Sequence, residues 1–161
     1  MTSWAELEVA EPELASAVRE RFEAHGFGLL ATLRLDGAPR ISGVEPLFAI
    51  GELWLGMMPG SRKALDLLRD PRFALHCATI DRALVTGDAK LSGRAIAIHD
   101  EATIANYRSA FALSAGYPPP AGPFPLFRAD ILDLSTIRSD GTRLEIEWWR
   151  EGEGVGRVER R

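Results

Sequence analysis

Two Asp-Gly dipeptides, Asp36-Gly37 and Asp140-Gly141, each stand between stretches rich in apolar residues. The tightest hairpin turn needs a positive φ at both central positions, which Asp and Gly tolerate. Each dipeptide therefore joins antiparallel neighbours, and no other feature constrains the fold as much. The first joins a strand over 27–35 to one over 38–50. Gly51-Glu52 then makes a second tight turn into the apolar run Leu53 to Met58. Three antiparallel strands with short connections form a meander, not βαβ units. Pro39 and Pro46 lack an N–H, so pairing along 38–50 is interrupted or on an edge at those points.

Helical patterns flank these strands. Pro12 fits a first helical turn, and Leu14, Val18 and Phe22 recur every four residues as an apolar stripe. Gly26 ends that helix after His25, a residue type favoured in a last turn. Ser61 opens a short helix with Ala64, Leu65 and Leu68 on one side, and Asp70-Pro71 closes it. Residues 72–78 read as a fourth strand carrying His76 and Cys77, and 79–87 as a loop. Residues 88–98 read as a fifth strand, with Gly93 as a bulge or close approach. Its Leu91, Gly93, Ala95 and Ala97 share one face of small residues, open to the approach of another group. A helix over 101–114 offers Ile104, Tyr107, Phe111 and Leu113 as apolar positions. Five prolines within 116–125 make a stiff, extended connector. Strands over 126–138 and 143–150 flank the second Asp-Gly. In the last, Leu144, Ile146 and Trp148 point one way and Arg143, Glu145 and Glu147 the other. Trp149 then falls on the polar side as an exposed indole, a mark of an interface or ligand wall. Residues 1–10 read as an N-terminal arm and 151–161 as a mobile tail. The expected fold is mainly β: a closed or partly closed barrel of six or seven antiparallel strands with helices, one domain over 1–161.

Composition bounds the function. A net charge of −4 argues against a general nucleic-acid binder. Cys77 is the single cysteine, so no intrachain disulfide forms; with no signal-like start, the expected location is the cytoplasm. No apolar run is long enough to span a membrane. No Cys/His spacing of metal type occurs, so no metal is expected.

The one oddity in charge is Arg62-Lys63 directly after Ser61. A helix N-terminus has spare N–H donors and partial positive charge, so cations there are unfavourable by roughly 0.3–1 kcal/mol each. Either both side chains are simply solvated, or an anion compensates them. Phosphate is the usual guest at such a place.

At Gly60-Ser61-Arg62-Lys63-Ala64 the chain resembles the pyridoxamine 5′-phosphate oxidase-like flavoproteins, the FMN-binding split β-barrels. The likeness runs from about Gly26 to Ala97. It rests on Asp36-Gly37-Ala38-Pro39-Arg40, Ser61-Arg62-Lys63-Ala64, Asp70-Pro71-Arg72 and Gly93-Arg94-Ala95, in that order. The resemblance implies an oxidoreductase with a small-molecule substrate, working as a homodimer with FMN in clefts between subunits. It implies that Ser61, Arg62 and Lys63 hold the FMN phosphate. It implies that Arg40, Ile41, Ser42, Gly43 and Val44 run along the ring, and that Gly56 and Met57 make further contacts, small Gly56 admitting the ligand to the backbone. No catalytic residue is assigned. The chain departs from the family's true oxidases at Glu45-Pro46, where they carry a Lys, and at Gly56-Met57, where they carry an aromatic-Thr pair. It also lacks their C-terminal Arg-Leu-x-Pro signature. These departures argue against pyridoxamine phosphate as substrate. The resemblance leaves three alternatives open. One is the deazaflavin coenzyme F-420, with Arg40, Arg72 and Arg94 as extra cations for its longer anionic tail. Another is a non-enzymatic flavin-binding protein, and the last is haem binding through His25, His76 or His99.

Overall fold

The computed structural model describes residues 1–161. In chain order the elements are α1 (Trp4–Ala10), α2 (Pro12–Glu23), β1 (Gly28–Leu33), β2 (Pro39–Val44), β3 (Pro46–Ala49), β4 (Glu52–Gly56) and α3 (Arg62–Arg69). Then follow β5 (Arg72–Cys77), β6 (Asp88–Ile98), α4 (Glu101–Ala115), β7 (Leu126–Ser139), β8 (Leu144–Arg150) and β9 (Gly154–Arg160). All pairings are antiparallel, in the order β2-β1-β5-β6-β7-β4-β3, with β8 between β7 and β9.

The order places β2 and β3 at opposite ends of the sheet, although only Glu45 separates them in sequence. One continuous segment thus leaves one edge and enters the other, which joins the sheet's ends into a split barrel. The expected single strand over 38–50 is therefore two strands, and the meander is not continuous. Pro46, without an N–H to give, begins the second of them. Together with β9 this makes nine strands instead of six or seven.

Both termini are more structured than expected. Residues 1–10 are not a loose arm: α1 is held by a capping box. The Ser3 hydroxyl accepts from the Glu6 N–H, and the Glu6 carboxylate accepts from the Ser3 N–H at 2.7 Å. Trp4 and Leu7 then enter the core, where the Trp4 ring meets Phe48 edge-on at 4.5 Å. Residues 151–161 are not a free tail: β9 pairs with β8 from Leu144↔Arg160 to Arg150↔Gly154.

The α2 stripe follows the sequence and the turns do so in part: the tight turn before β4 is Ile50-Gly51, both at positive φ, instead of Gly51-Glu52, and in the Asp-Gly turns only the glycine is left-handed. Leu14, Val18 and Phe22 are buried, and Gly37 takes a left-handed φ of 83° in the first hairpin turn. Gly93 sits at a register shift where a Cβ would lie 2.0 Å from the Asp130 carbonyl oxygen, so the bulge requires glycine. Leu91, Gly93 and Ala95, expected to receive another group, face the barrel core, against which α2 packs. The Pro-rich connector is irregular as expected, and α4 fastens it: Arg108 donates to the Pro120 and Gly122 carbonyls and lies 4.7 Å from the Phe124 ring.

Two helices turn differently from their expected stripes. On α3 the buried positions are Ala64, Asp66 and Leu67, while Leu65 and Leu68 are exposed. Bonds from Asp66 to the barrel set that rotation. On α4, Tyr107 and Phe111 are buried but Leu113 is exposed. In β8, Trp149 packs against the main core instead of standing in solvent. Trp148 borders a cavity of about 300 Å³ beside His76 and Lys90. Its indole lies where a Cβ on Gly156 would be, 2.2 Å from the nearest ring atom.

Candidate functional site

The site begins at the first turn of α3. Ser61 is the N-cap, with extended backbone at φ −62° and ψ 141°, yet its side chain makes no capping bond. Its Oγ is buried without any hydrogen-bond partner. Such an atom costs about 1–3 kcal/mol unless something bonds to it. Arg62 projects outward, and the ion pairs around α3 involve only its neighbours. Lys63 is half-buried, and its Nζ donates to the Gly43 carbonyl on β2. Burial pulls its pKa below the usual lysine value, and the Glu45 carboxylate opposes that pull.

One turn later the picture reverses. The Asp66 side chain is 5% exposed and accepts from Arg40 Nε at 2.6 Å and Thr32 Oγ1 at 2.9 Å. Arg69 approaches its other oxygen at 3.5 Å. Burial alone would raise the Asp66 pKa. The bonds from Arg40 and Thr32 and the Arg40 charge outweigh it and hold the carboxyl below its usual range.

Lys63–Gly43 and Arg40–Asp66 fasten α3 to β2, so Ser61, Arg62 and Lys63 do lie beside the strand from Arg40 to Val44. The individual roles differ from those expected. Arg40 bonds Asp66 through Nε, which leaves its terminal nitrogens without partners. Ile41 and Gly43 lie on the exposed face of β2, and Ser42 is half-buried. Val44 and Met57 are each 4% exposed and belong to the core, so their side chains are structural. Gly56 does not leave room for a ligand on its Cβ side. The Tyr107 hydroxyl fills that space, 2.2 Å from where a Cβ would stand. Burial pushes the Tyr107 phenol well above its usual pKa. Of the extra cations, Arg72 is paired with Asp70 at 2.6 Å and Arg94 is exposed on β6.

Sequence reasoning passed over Asp66, although a carboxylate between Ala64 and Leu67 on a short Leu-rich helix was a legible signal. It also passed over Tyr107 as the neighbour of Gly56, for which no local signal exists.

The family profile of pyridoxamine 5′-phosphate oxidase matches residues 14–138, which include every residue of this site. The chain belongs to that family. No curated protein matches the sequence. Three solved structures place this oxidase-family chain among its folds. PhzG from Burkholderia lata, in complex with tetrahydrophenazine-1-carboxylic acid, is 13% identical with a TM-score of 0.64, covering 96% of each chain. A pyridoxamine 5′-phosphate oxidase-related, FMN-binding protein from Nostoc punctiforme is 12% identical with a TM-score of 0.63, covering 94% of this chain and 96% of that one. A heme-binding protein from Mycobacterium smegmatis is 15% identical with a TM-score of 0.59, covering 89% and 87%. At such identities the likeness is one of fold. No helix of this family member is long and apolar enough to cross a membrane.

Proposed function

We propose that this protein is an FMN-binding oxidoreductase acting on a small molecule, with the FMN phosphate held by Ser61, Arg62 and Lys63. The buried, unpartnered Ser61 hydroxyl, followed in the chain by an unpaired guanidinium and a desolvated ammonium, carries this reading. The hydroxyl can donate to a phosphate oxygen, the guanidinium offers a two-pronged fork, and the ammonium a compact charge. The uncapped N–H groups of α3 add donors aimed the same way. From there the ring would follow the exposed face of β2 at Ile41 and Gly43, with the terminal nitrogens of Arg40 available to its polar edge. Bound flavin supplies the hydride chemistry. The chain would anchor the phosphate and align the ring along β2. The deazaflavin, with its longer anionic tail, has less support, because Arg72 is already paired and Arg94 points to solvent.

The same reading takes the protein as a homodimer with the cofactor at the seam. The outer face of β1, β2 and β5 leaves Leu29 51% and Ile41 71% exposed beside a cavity of about 430 Å³ that Ala31 and Ala74 also line. A contiguous apolar face of this kind marks an interface. Light scattering is expected to give a dimer mass, and Ile41→Asp a monomer.

Haem has one observation in its favour. His76 Nδ1 donates to the Cys77 carbonyl at 2.8 Å, which leaves Nε2 open, and the ring borders two cavities. Imidazoles held this way ligate iron. Titrating the protein with FMN and, separately, with hemin distinguishes the readings. Saturable quenching of flavin fluorescence is expected, with no defined haem spectrum. The reverse result removes the flavin reading.

A further inference from the structure

A cavity of about 590 Å³ opens between the end of α2, β3 and the end of α4. Such a volume suits a small organic molecule. Phe27, Leu47, Phe48, Phe111 and Tyr117 wall it, and Phe27 and Tyr117 are 57% and 50% exposed at its mouth. Its charged lining is Glu23 and Glu45, with no Lys, Arg or His. Arg19 already pairs with Glu23 at 2.7 Å. Glu45 accepts from the Tyr117 hydroxyl at 2.6 Å through Oε1, and Oε2 has no bond. The nearby Lys63 ammonium is directed at the Gly43 carbonyl instead. Glu45 is also the one residue between β2 and β3, so it follows directly on the strand that borders the phosphate cradle.

We propose that this cavity binds an organic cation, an ammonium group on an aromatic or apolar body, and that Glu45 is its specificity-determining residue. The chemistry points one way. An anion here would meet two carboxylates, while the two nearest cations are already engaged, Arg19 with Glu23 and the Phe48 carbonyl and Lys63 with the Gly43 carbonyl, so desolvating it would go uncompensated. An ammonium would meet the open oxygen of Glu45, and ring faces add cation–π attraction. The assignment of this compound as the substrate rests on the flavin reading; its binding does not.

The test is calorimetric titration of the full chain, with and without FMN, using two probes of similar shape. These are 2-phenylethylammonium and 3-phenylpropanoate. The ammonium compound is expected to bind, and the carboxylate to bind at least about tenfold more weakly. Glu45→Gln is expected to weaken the ammonium compound by about fivefold or more and shrink the difference between probes. Tyr117→Phe keeps the ring and releases Oε1, so ammonium binding is held or improved. Equal binding of both probes, preference for the carboxylate, or binding of neither overturns the proposal. These outcomes need no variant, so a folding defect in Glu45→Gln does not blunt them. A protein that takes the ammonium probe but not FMN keeps the cavity and loses the flavin reading. One that takes FMN but fails the charge test does the opposite.

Discussion

The first and second turns of α3 carry polar groups in opposite states. At Asp66 a buried carboxylate has Arg40, Thr32 and Arg69 around it. At Ser61 a buried hydroxyl has no partner, Arg62 has no ion pair, and Lys63 is desolvated against one carbonyl. A fold that satisfies one turn so fully has no packing reason to leave its neighbour bare. The difference separates a structural network from a prepared site: the first stabilises the chain alone, the second is completed by something bound. Variants in the two turns should therefore move different measurements.

The largest effect is expected in the satisfied turn. Asp66→Ala strips the partner from a mostly buried Arg40 and should cost about 2–4 kcal/mol in urea unfolding. Its side chain is 22% exposed, so the lower half of that range is favoured. A loss below about 0.5 kcal/mol, the scale of an ordinary surface change, would break the contrast. Next comes Lys63→Glu. It reverses a charge at the cradle and should weaken FMN by more than about tenfold, while the unfolding midpoint falls less than in Asp66→Ala, by the loss of one exposed bond to Gly43. Unchanged FMN affinity would put the phosphate elsewhere.

Ser61→Ala sharpens the comparison further, because its two readouts move in opposite senses. Removing an orphaned buried hydroxyl should leave stability unchanged or raise it by up to about 1 kcal/mol. The same change removes a phosphate donor and should weaken FMN about fivefold, the value of one ordinary hydrogen bond. If stability falls instead, the hydroxyl has a protein partner and the site loses its main support.

These two turns also mark how far the sequence could be read. Arg62 and Lys63 were visible because their sign is wrong for a helix start, a strictly local rule. The Asp-Gly turns and the α2 stripe were visible for the same reason. The Ser3-x-x-Glu6 capping box is equally local and marks α1 as a helix where weak apolar patterning alone suggests an arm. Other features are not local at all. That Val44 and Met57 face the core while Ile41 faces out depends on where Glu45-Pro46 breaks the strand. That Gly56 faces Tyr107 depends on α4, some fifty residues away. That Leu67 rather than Leu68 is buried depends on Asp66 finding Arg40 and Thr32 across the barrel. Periodicity along a Leu-rich helix allowed either rotation.

The smallest predicted effect tests Lys63 by pH. Burial places its pKa below that of a free lysine, so the folded chain releases this proton before the unfolded chain does. Between the depressed value and the ordinary one near 10.4, the unfolded state binds more protons, and stability rises with pH on this account. A phosphate dianion favours the charged form, so FMN affinity should fall across the same window. The two slopes have opposite signs, and one side chain produces both. In Lys63→Arg the charge persists at all accessible pH, and both slopes should flatten. FMN affinity and urea midpoints measured from about pH 8 to about pH 10 would check this. An affinity in the parent as flat as in Lys63→Arg would mean that the ammonium never meets the phosphate, and that its contact with Gly43 is only a stitch between α3 and β2.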